Sequence, residues 1–201
     1  MRGSIEQSQA RQTRSKDSSP ECIISGMPST YVALLRGVNV GGNNKLPMKD
    51  LATIFQKCGC SNVRTYIQSG NVVFECPTSV ARLQETVGSA IEKKFGFNPS
   101  LVIRRLGDLE DVVKNNPFLK AGAEETELHV VFLSEAPNAE ELAKLAKNRV
   151  PPDEFALRGK DIYLRLPNGA GRSKLAAVKL KTIATARNWR TVNKLIEMMK
   201  G

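Results

Sequence analysis

One histidine, one tryptophan and four cysteines in 201 residues leave little material for several common chemistries. A tetrahedral zinc site needs four sulfur or nitrogen ligands, usually in closely spaced pairs, and Cys22, Cys58, Cys60 and Cys76 with the lone His129 do not form such a set. No metal is therefore expected. Cys58-Gly-Cys60 is a weak metal or redox signal, and buried thiols in a reducing cytoplasm are the simpler reading. No apolar run approaches the length of a membrane span, which removes a membrane partner. Residues 1–26 lack the apolar core of a secretory signal, and Glu6, Asp17 and Glu21 argue against a transit peptide. That stretch reads as a disordered extension or leader, with a regulatory tail as the alternative, and a cytoplasmic location is expected.

Catalytic constellations are also missing. His129 lies inside a strand-like run, Leu128-His-Val-Val-Phe132, where a structural histidine is the commoner outcome. Ser69 and Ser173 have no identifiable activating partner, Gln68-Ser-Gly70 is not a nucleophile elbow, and no carboxylates pair at an acid–base spacing. Enzymatic activity is left open, leaning against, and no cofactor is expected.

Charge is what the chain has in excess. The net charge is +10. Residues 27–106 carry ten basic and four acidic side chains, residues 107–147 four and nine, and residues 148–201 twelve and four. Two basic blocks thus flank an acidic one, and they make an asymmetric field if they share a face.

Periodicity predicts a strand over Tyr31–Arg36, a helix over Met48–Cys58 opened by Pro47, strands over Val63–Ile67 and Asn71–Glu75 around Gln68-Ser69-Gly70, a helix over Ser79–Phe95 and a strand over Leu101–Arg105. The first half reads βαββαβ. An acidic connector over 107–127 carries a short helix and then loop. Beyond it a strand (Leu128–Leu133), a helix (Ala139–Lys147) and a hairpin (Asp153–Arg158 and Asp161–Leu166 around Gly159) repeat the order. Helices are then predicted over Ser173–Ala184 and Thr191–Met199, with Thr191 as N-cap, so that the second unit ends in a helix where a last strand is expected. Laying Gly70 on Gly159 matches Tyr66 with Phe155, Val73 with Ile162 and Phe74 with Tyr163. The reading is an α+β fold of two intertwined ferredoxin-like βαββαβ repeats with mainly antiparallel sheets, over 27–106 and 128–201, forming one unit.

Three segments are candidate anion seats. Arg36, Asn39, Gly41, Gly42 and Lys45 end the first strand ahead of a helix, where free backbone N–H groups and a positive dipole end converge. Gly171, Arg172 and Lys174 repeat that pattern. Arg187, Asn188, Trp189 and Arg190 place the only tryptophan between arginines, the composition of a base-stacking platform, although a lone Trp is more often a core anchor. Arg64 beside Tyr66 has the same ambiguity. No Gly-Lys-Ser/Thr occurs, so a Walker A loop is excluded.

Taken together, Val32-Ala-Leu-Leu-Arg-Gly-Val-Asn-Val-Gly-Gly-Asn-Asn-Lys45, Val63-Arg-Thr-Tyr-Ile-Gln-Ser-Gly-Asn-Val-Val-Phe74, Gly171-Arg-Ser-Lys-Leu175 and Thr185-Ala-Arg-Asn-Trp-Arg-Thr-Val192 closely resemble the bacterial family called domain of unknown function 1697 (DUF1697), over about Met27 to Lys200. The resemblance implies two intertwined ferredoxin-like repeats and supplies no activity. The first functional expectation is a module binding an anionic ligand, nucleic acid or nucleotide, through these cations. The alternatives are a small-molecule enzyme acting on a phosphorylated or carboxylated substrate between the repeats, and an interaction domain that forms homo-oligomers through its acidic and basic segments.

Overall fold

A computed structural model of the chain describes residues 29–76, 80 and 82–201. The expected extension over 1–26, with Cys22, and residues 79 and 81 of the expected second helix lie outside the described residues.

The first repeat runs β1 (Ser29–Leu35), α1 (Met48–Lys57), β2 (Ser61–Tyr66), β3 (Asn71–Cys76), α2 (Leu83–Phe95) and β4 (Leu101–Arg105). Its sheet has the order β2-β3-β1-β4, and the pairs are all antiparallel. This is the ferredoxin-like arrangement. Alternation divides the strands between two faces. Ala33, Leu35, Val72 and Phe74 point outward to Leu51, Ile54 and Phe55 of α1 and to Val87 and Ile91 of α2, and all are buried. Val32, Leu34, Val73 and Val102 point the other way.

The connector supplies α3 (Leu106–Lys114), a single-turn α4 (Pro117–Lys120) and a 3-10 turn at Glu125–Glu127. The second repeat then follows as β5 (Leu128–Leu133), α5 (Ala139–Asn148), β6 (Glu154–Arg158), β7 (Asp161–Arg165), β8 (Ala184–Asn188) and finally α6 (Trp189–Lys200). Its order, β6-β7-β5-β8, is that of the first sheet. The inner faces of both sheets share one core with α3 and α6, in which Val130, Phe132 and Tyr163 meet Val32, Leu34 and Val73 among the same buried residues. Burying each such side chain contributes roughly 1.5–3 kcal/mol relative to exposure.

Three expectations are corrected here. The last strand is present: Ala184–Asn188 pairs with β5, Leu133 standing opposite Ala184. The helix over Ser173–Ala184 is absent. That segment makes one turn, with the Ser173 hydroxyl accepting from the Ala176 N–H at 3.0 Å, and then leaves it. Its far end is held by the fully buried Glu141, which accepts from the Thr182 N–H at 2.9 Å and the Thr182 hydroxyl at 3.0 Å. With Ala184 onward committed to a strand, tertiary ties override a local helical period. Thr191 is not the N-cap of α6. Asn188 is, its side chain accepting from the Thr191 N–H at 2.9 Å.

The duplication is real, but the proposed overlay is one residue out of register. Leu34 stands opposite Asn71 and Phe132 opposite Asp161, so Val72 corresponds to Ile162 and Val73 to Tyr163. A one-residue slip exchanges the two faces of a strand. The true register puts Val73 and Tyr163 together in the inner core, with Val72 and Ile162 on the outer faces.

Candidate functional site

The corrected register brings out a pair of arginines. Arg104 in β4 is opposite Val32, and Arg187 in β8 is opposite Val130, the equivalent position of the other repeat. Both are buried, at 3% and 7% exposure. Each crosses to the opposite repeat. Arg104 Nη2 donates to the Leu133 carbonyl at 2.6 Å and to Asp161 Oδ1 at 3.1 Å. Arg187 Nη2 donates to the Leu35 carbonyl at 2.9 Å, and its Nε donates to Asn71 Oδ1. Leu35 and Leu133 correspond, as do Asn71 and Asp161, so the two clasps are related by the internal duplication.

The clasps differ in charge. Arg104 faces a carboxylate, although burial still pushes the Asp161 carboxyl above its ordinary value, opposed by Arg104. Arg187 faces an amide. Its remaining N–H groups go to the Thr185 hydroxyl, the Ala186 carbonyl and the Ser69 carbonyl at 2.6, 2.8 and 3.0 Å, so all five of its donors meet neutral acceptors. Desolvation lowers its pKa to about 10, which leaves it charged near neutrality.

The glycine- and asparagine-rich loop after β1 sits beside Arg187. Asn39, at φ 54°, donates to the Leu46 and Gln68 carbonyls at 2.8 Å each and accepts from the Leu46 N–H. Asn44 donates to the Gly37 carbonyl at 2.9 Å. These amides knit the loop to itself and to the β2–β3 turn, so they are not donors held ready for a ligand. Gly70 is required where the two meet: at φ +72° a Cβ would lie 2.5 Å from Val38 Cγ2 and 2.8 Å from Leu35 Cβ.

Between this loop and the second repeat lies a cavity of about 480 Å³. Leu35 to Val38, Val40 and Ser69 contribute from the first repeat. The outer face of the second sheet contributes His129, Val131, Ile162 and Leu164, and the segment after β7 contributes Ala170 and Leu175 to Leu180. Arg36, Lys179 and Arg187 line it, and among the described residues no Asp or Glu does. Arg36 and Lys179 are exposed, and neither side chain has a hydrogen bond or ion pair among the described residues. His129 is held below its usual pKa by burial, partly opposed by the Glu127 backbone carbonyl, and its buried Nδ1 finds no hydrogen bond of normal geometry.

Of the residues expected to hold an anion, Arg36 and Arg187 therefore meet at one cavity. Asn39 stands behind its wall, and Gly41, Gly42 and Lys45 are exposed and do not line it. Arg172 and Lys174 line a separate depression with Pro151 and Pro152, and Gly171 is exposed nearby. Arg64 donates to the Met198 carbonyl, capping the C-terminal end of α6. Asn188 is an N-cap, and Arg190 lines a polar groove with Tyr66 and Glu197. Trp189 is 1% exposed and fills the core between the sheets, which corrects its reading as a stacking platform: at the first position of α6 its ring turns inward.

Residues 28–163 match the family model described as "Protein of unknown function (DUF1697)". The chain belongs to this family. The match takes in the whole first repeat of the DUF1697 fold and the second as far as Tyr163 in β7. A solved structure, "The structure of conserved bacterial protein SP0830 from Streptococcus pneumoniae", is similar to it with a TM-score of 0.69 and 23% identity, over 86% of this chain and 99% of that one. At that identity the likeness shows the fold alone. No curated protein matches the chain. Among the described residues, no group of three or more His, Cys, Asp or Glu is placed to hold a metal, and no helix is long and apolar enough to cross a membrane.

Sequence reasoning missed Lys179 and the apolar wall of this DUF1697 cavity. The signal was present in Leu175-Ala-Ala-Val-Lys-Leu180, a small-residue apolar run with one lysine. Read as a helix, that run hides the opening its actual path leaves over the sheet.

Proposed function

We propose that the chain binds a small anionic molecule in the cavity between its two repeats. The lining carries this reading: Arg36, Lys179 and Arg187 bring positive charge, and no carboxylate among the lining residues offsets it. A positive potential in a partly desolvated cleft attracts an anion more strongly than the same charges on an open surface. The nucleic-acid reading is weaker, because its stacking residue is buried and its cations are dispersed over separate surfaces. Binding is proposed without turnover, since the Ser69 hydroxyl accepts from the Asn71 amide and no hydrogen bond joins it to His129.

Calorimetric titration of the full chain with small carboxylates and phosphates, alongside short single- and double-stranded oligonucleotides, tests this. A small anion should bind, and Arg36→Ala should weaken it about tenfold, the worth of one charge-assisted hydrogen bond. Tight, steeply salt-dependent oligonucleotide binding with no response to small anions would restore the nucleic-acid reading.

A further inference from the structure

Resting on that reading, we infer that the anion is the head of an amphiphile, a medium-chain alkyl carboxylate whose body lies along the outer face of the second sheet. The internal duplication supplies the comparison. In the first repeat, α1 and α2 together cover the outer face, and their side chains close a large buried cluster. In the second repeat α5 takes the place of α1, but the position of α2 is occupied by the irregular segment from Ser173 to Ile183. A chain path with one turn covers less sheet than a helix of 13 residues. The cavity is the volume so left.

Its surfaces are those of a hydrocarbon site. Half-buried Val131 and Ala184 form the accessible floor and half-buried Val178 faces them from the irregular segment, while Ile162 and Leu164 lie beneath, packed in one buried cluster with Leu175 and Leu180. His129 is the one titratable side chain on that floor, and burial favours its uncharged form. At about 480 Å³ the space falls within the usual range for small-molecule sites, where apolar walls bury the body and a few polar groups orient it.

Charge confines the head to one end. At the Arg104 clasp the chain provides its own carboxylate, Asp161. At the Arg187 clasp Asn71 stands in that position, so the cation is left without a counter-ion among the described residues. Because neutral acceptors already engage every Arg187 N–H, it acts through its field. The exposed, unpaired Arg36 and Lys179 are the groups that contact the carboxylate.

The test is calorimetry on the full chain with acetate, hexanoate, octanoate, decanoate, decanol and inorganic phosphate. Affinity should rise about fourfold per added methylene from hexanoate to decanoate, the factor that corresponds to burying one CH₂. Decanoate should bind with a negative heat-capacity change. Ala177→Trp and Ala186→Trp, at exposed positions on the cavity wall, should fill the space and abolish the dependence on chain length. Equal binding of acetate, phosphate and decanoate, unchanged by either tryptophan, would overturn the amphiphile while leaving anion binding in place. Decanol binding as tightly as decanoate, or no binding of any anion, would remove the anion reading as well.

Discussion

Replacing Arg104 and Arg187 by methionine, one at a time, sets the two clasps against each other inside a single molecule. Both variants keep the stem and remove the guanidinium, so the packing loss is similar. The electrostatic loss is not. Without Arg104, the Asp161 carboxylate loses its ion pair while its side chain is only 15% exposed. Breaking a buried pair from one side costs about 3–5 kcal/mol. Without Arg187, the groups left behind are the Asn71 amide, the Thr185 hydroxyl and three backbone carbonyls, which are neutral. Each unsatisfied buried acceptor costs about 1–3 kcal/mol, partly offset because a desolvated charge is also removed.

The two losses separate on pH. Asp161 already has a carboxyl pKa raised in the folded state by burial, and Arg104 is the largest influence opposing that rise. Removing Arg104 raises it further. A group whose folded pKa lies above its unfolded value favours the native state below the unfolded value, here 3.8, and that benefit is lost as pH rises through the folded value. The cost of Arg104→Met should therefore be largest at pH 7 and shrink as pH falls toward 4, and Asp161→Asn in the same chain should recover part of it at pH 7. The cost of Arg187→Met should stay flat over that range. Urea unfolding of the wild type and the three variants at pH 4, 5.5 and 7 is the assay. Parallel pH profiles for the two methionine variants would refute the assignment of charge to one clasp only.

Gly70→Ala should cost about 2–4 kcal/mol, combining a left-handed backbone with overpacking against Val38 and Leu35, whereas Gly159→Ala, at φ +57° with open space around its Cβ, should cost about 1–2 kcal/mol; thermal unfolding compares them. Glu141→Gln should destabilise the chain, and because hydrogen bonding by the Thr182 backbone lowers the Glu141 pKa, the wild type alone should lose this contribution as pH falls below the ordinary glutamate range, a difference chemical denaturation at pH 3.5 and 7 will show. His129 is the only histidine, and burial lowers its pKa, so the unfolded chain takes up the proton first as pH drops below about 6.5. Stability should fall between pH 7 and 5.5 in the wild type and be flatter in His129→Gln.

Much of the fold was legible because its signals are local. Leu51, Ile54 and Phe55 mark α1 by their spacing, and the runs Tyr31–Arg36 and Asn71–Glu75 mark strands by composition, each within one residue of the observed end. What was not legible depends on partners far along the chain. Ser173–Ile183 has a helical stripe, yet Glu141 pins Thr182 and the open edge of β5 claims Ala184. Nothing near residue 182 announces either. The site divides in the same way. Arg36 was found because a cation ends an apolar strand, and Arg187 because it sits in a charged motif, but its burial follows from contacts with Leu35, Ser69 and Asn71. Trp189 looked like a platform between arginines, since a sequence does not say which way a ring at a helix start will turn.

The reciprocal clasps also constrain the order in which the protein can mature on the ribosome. Arg187 binds the Leu35 carbonyl 152 positions earlier, and Arg104 waits 57 positions for Asp161. Until β7 has emerged, the first repeat holds a cation with no counter-ion, beside an inner sheet face of Val32, Leu34, Val73 and Val102 that still lacks Tyr163, Trp189 and Val192 from its finished core. Until β8 and α6 follow, the second sheet lacks an edge strand and the shared core lacks a helix. Such long-range pairings form late and slowly, so the nascent first half is the species that a chaperone, or a second nascent copy, would meet.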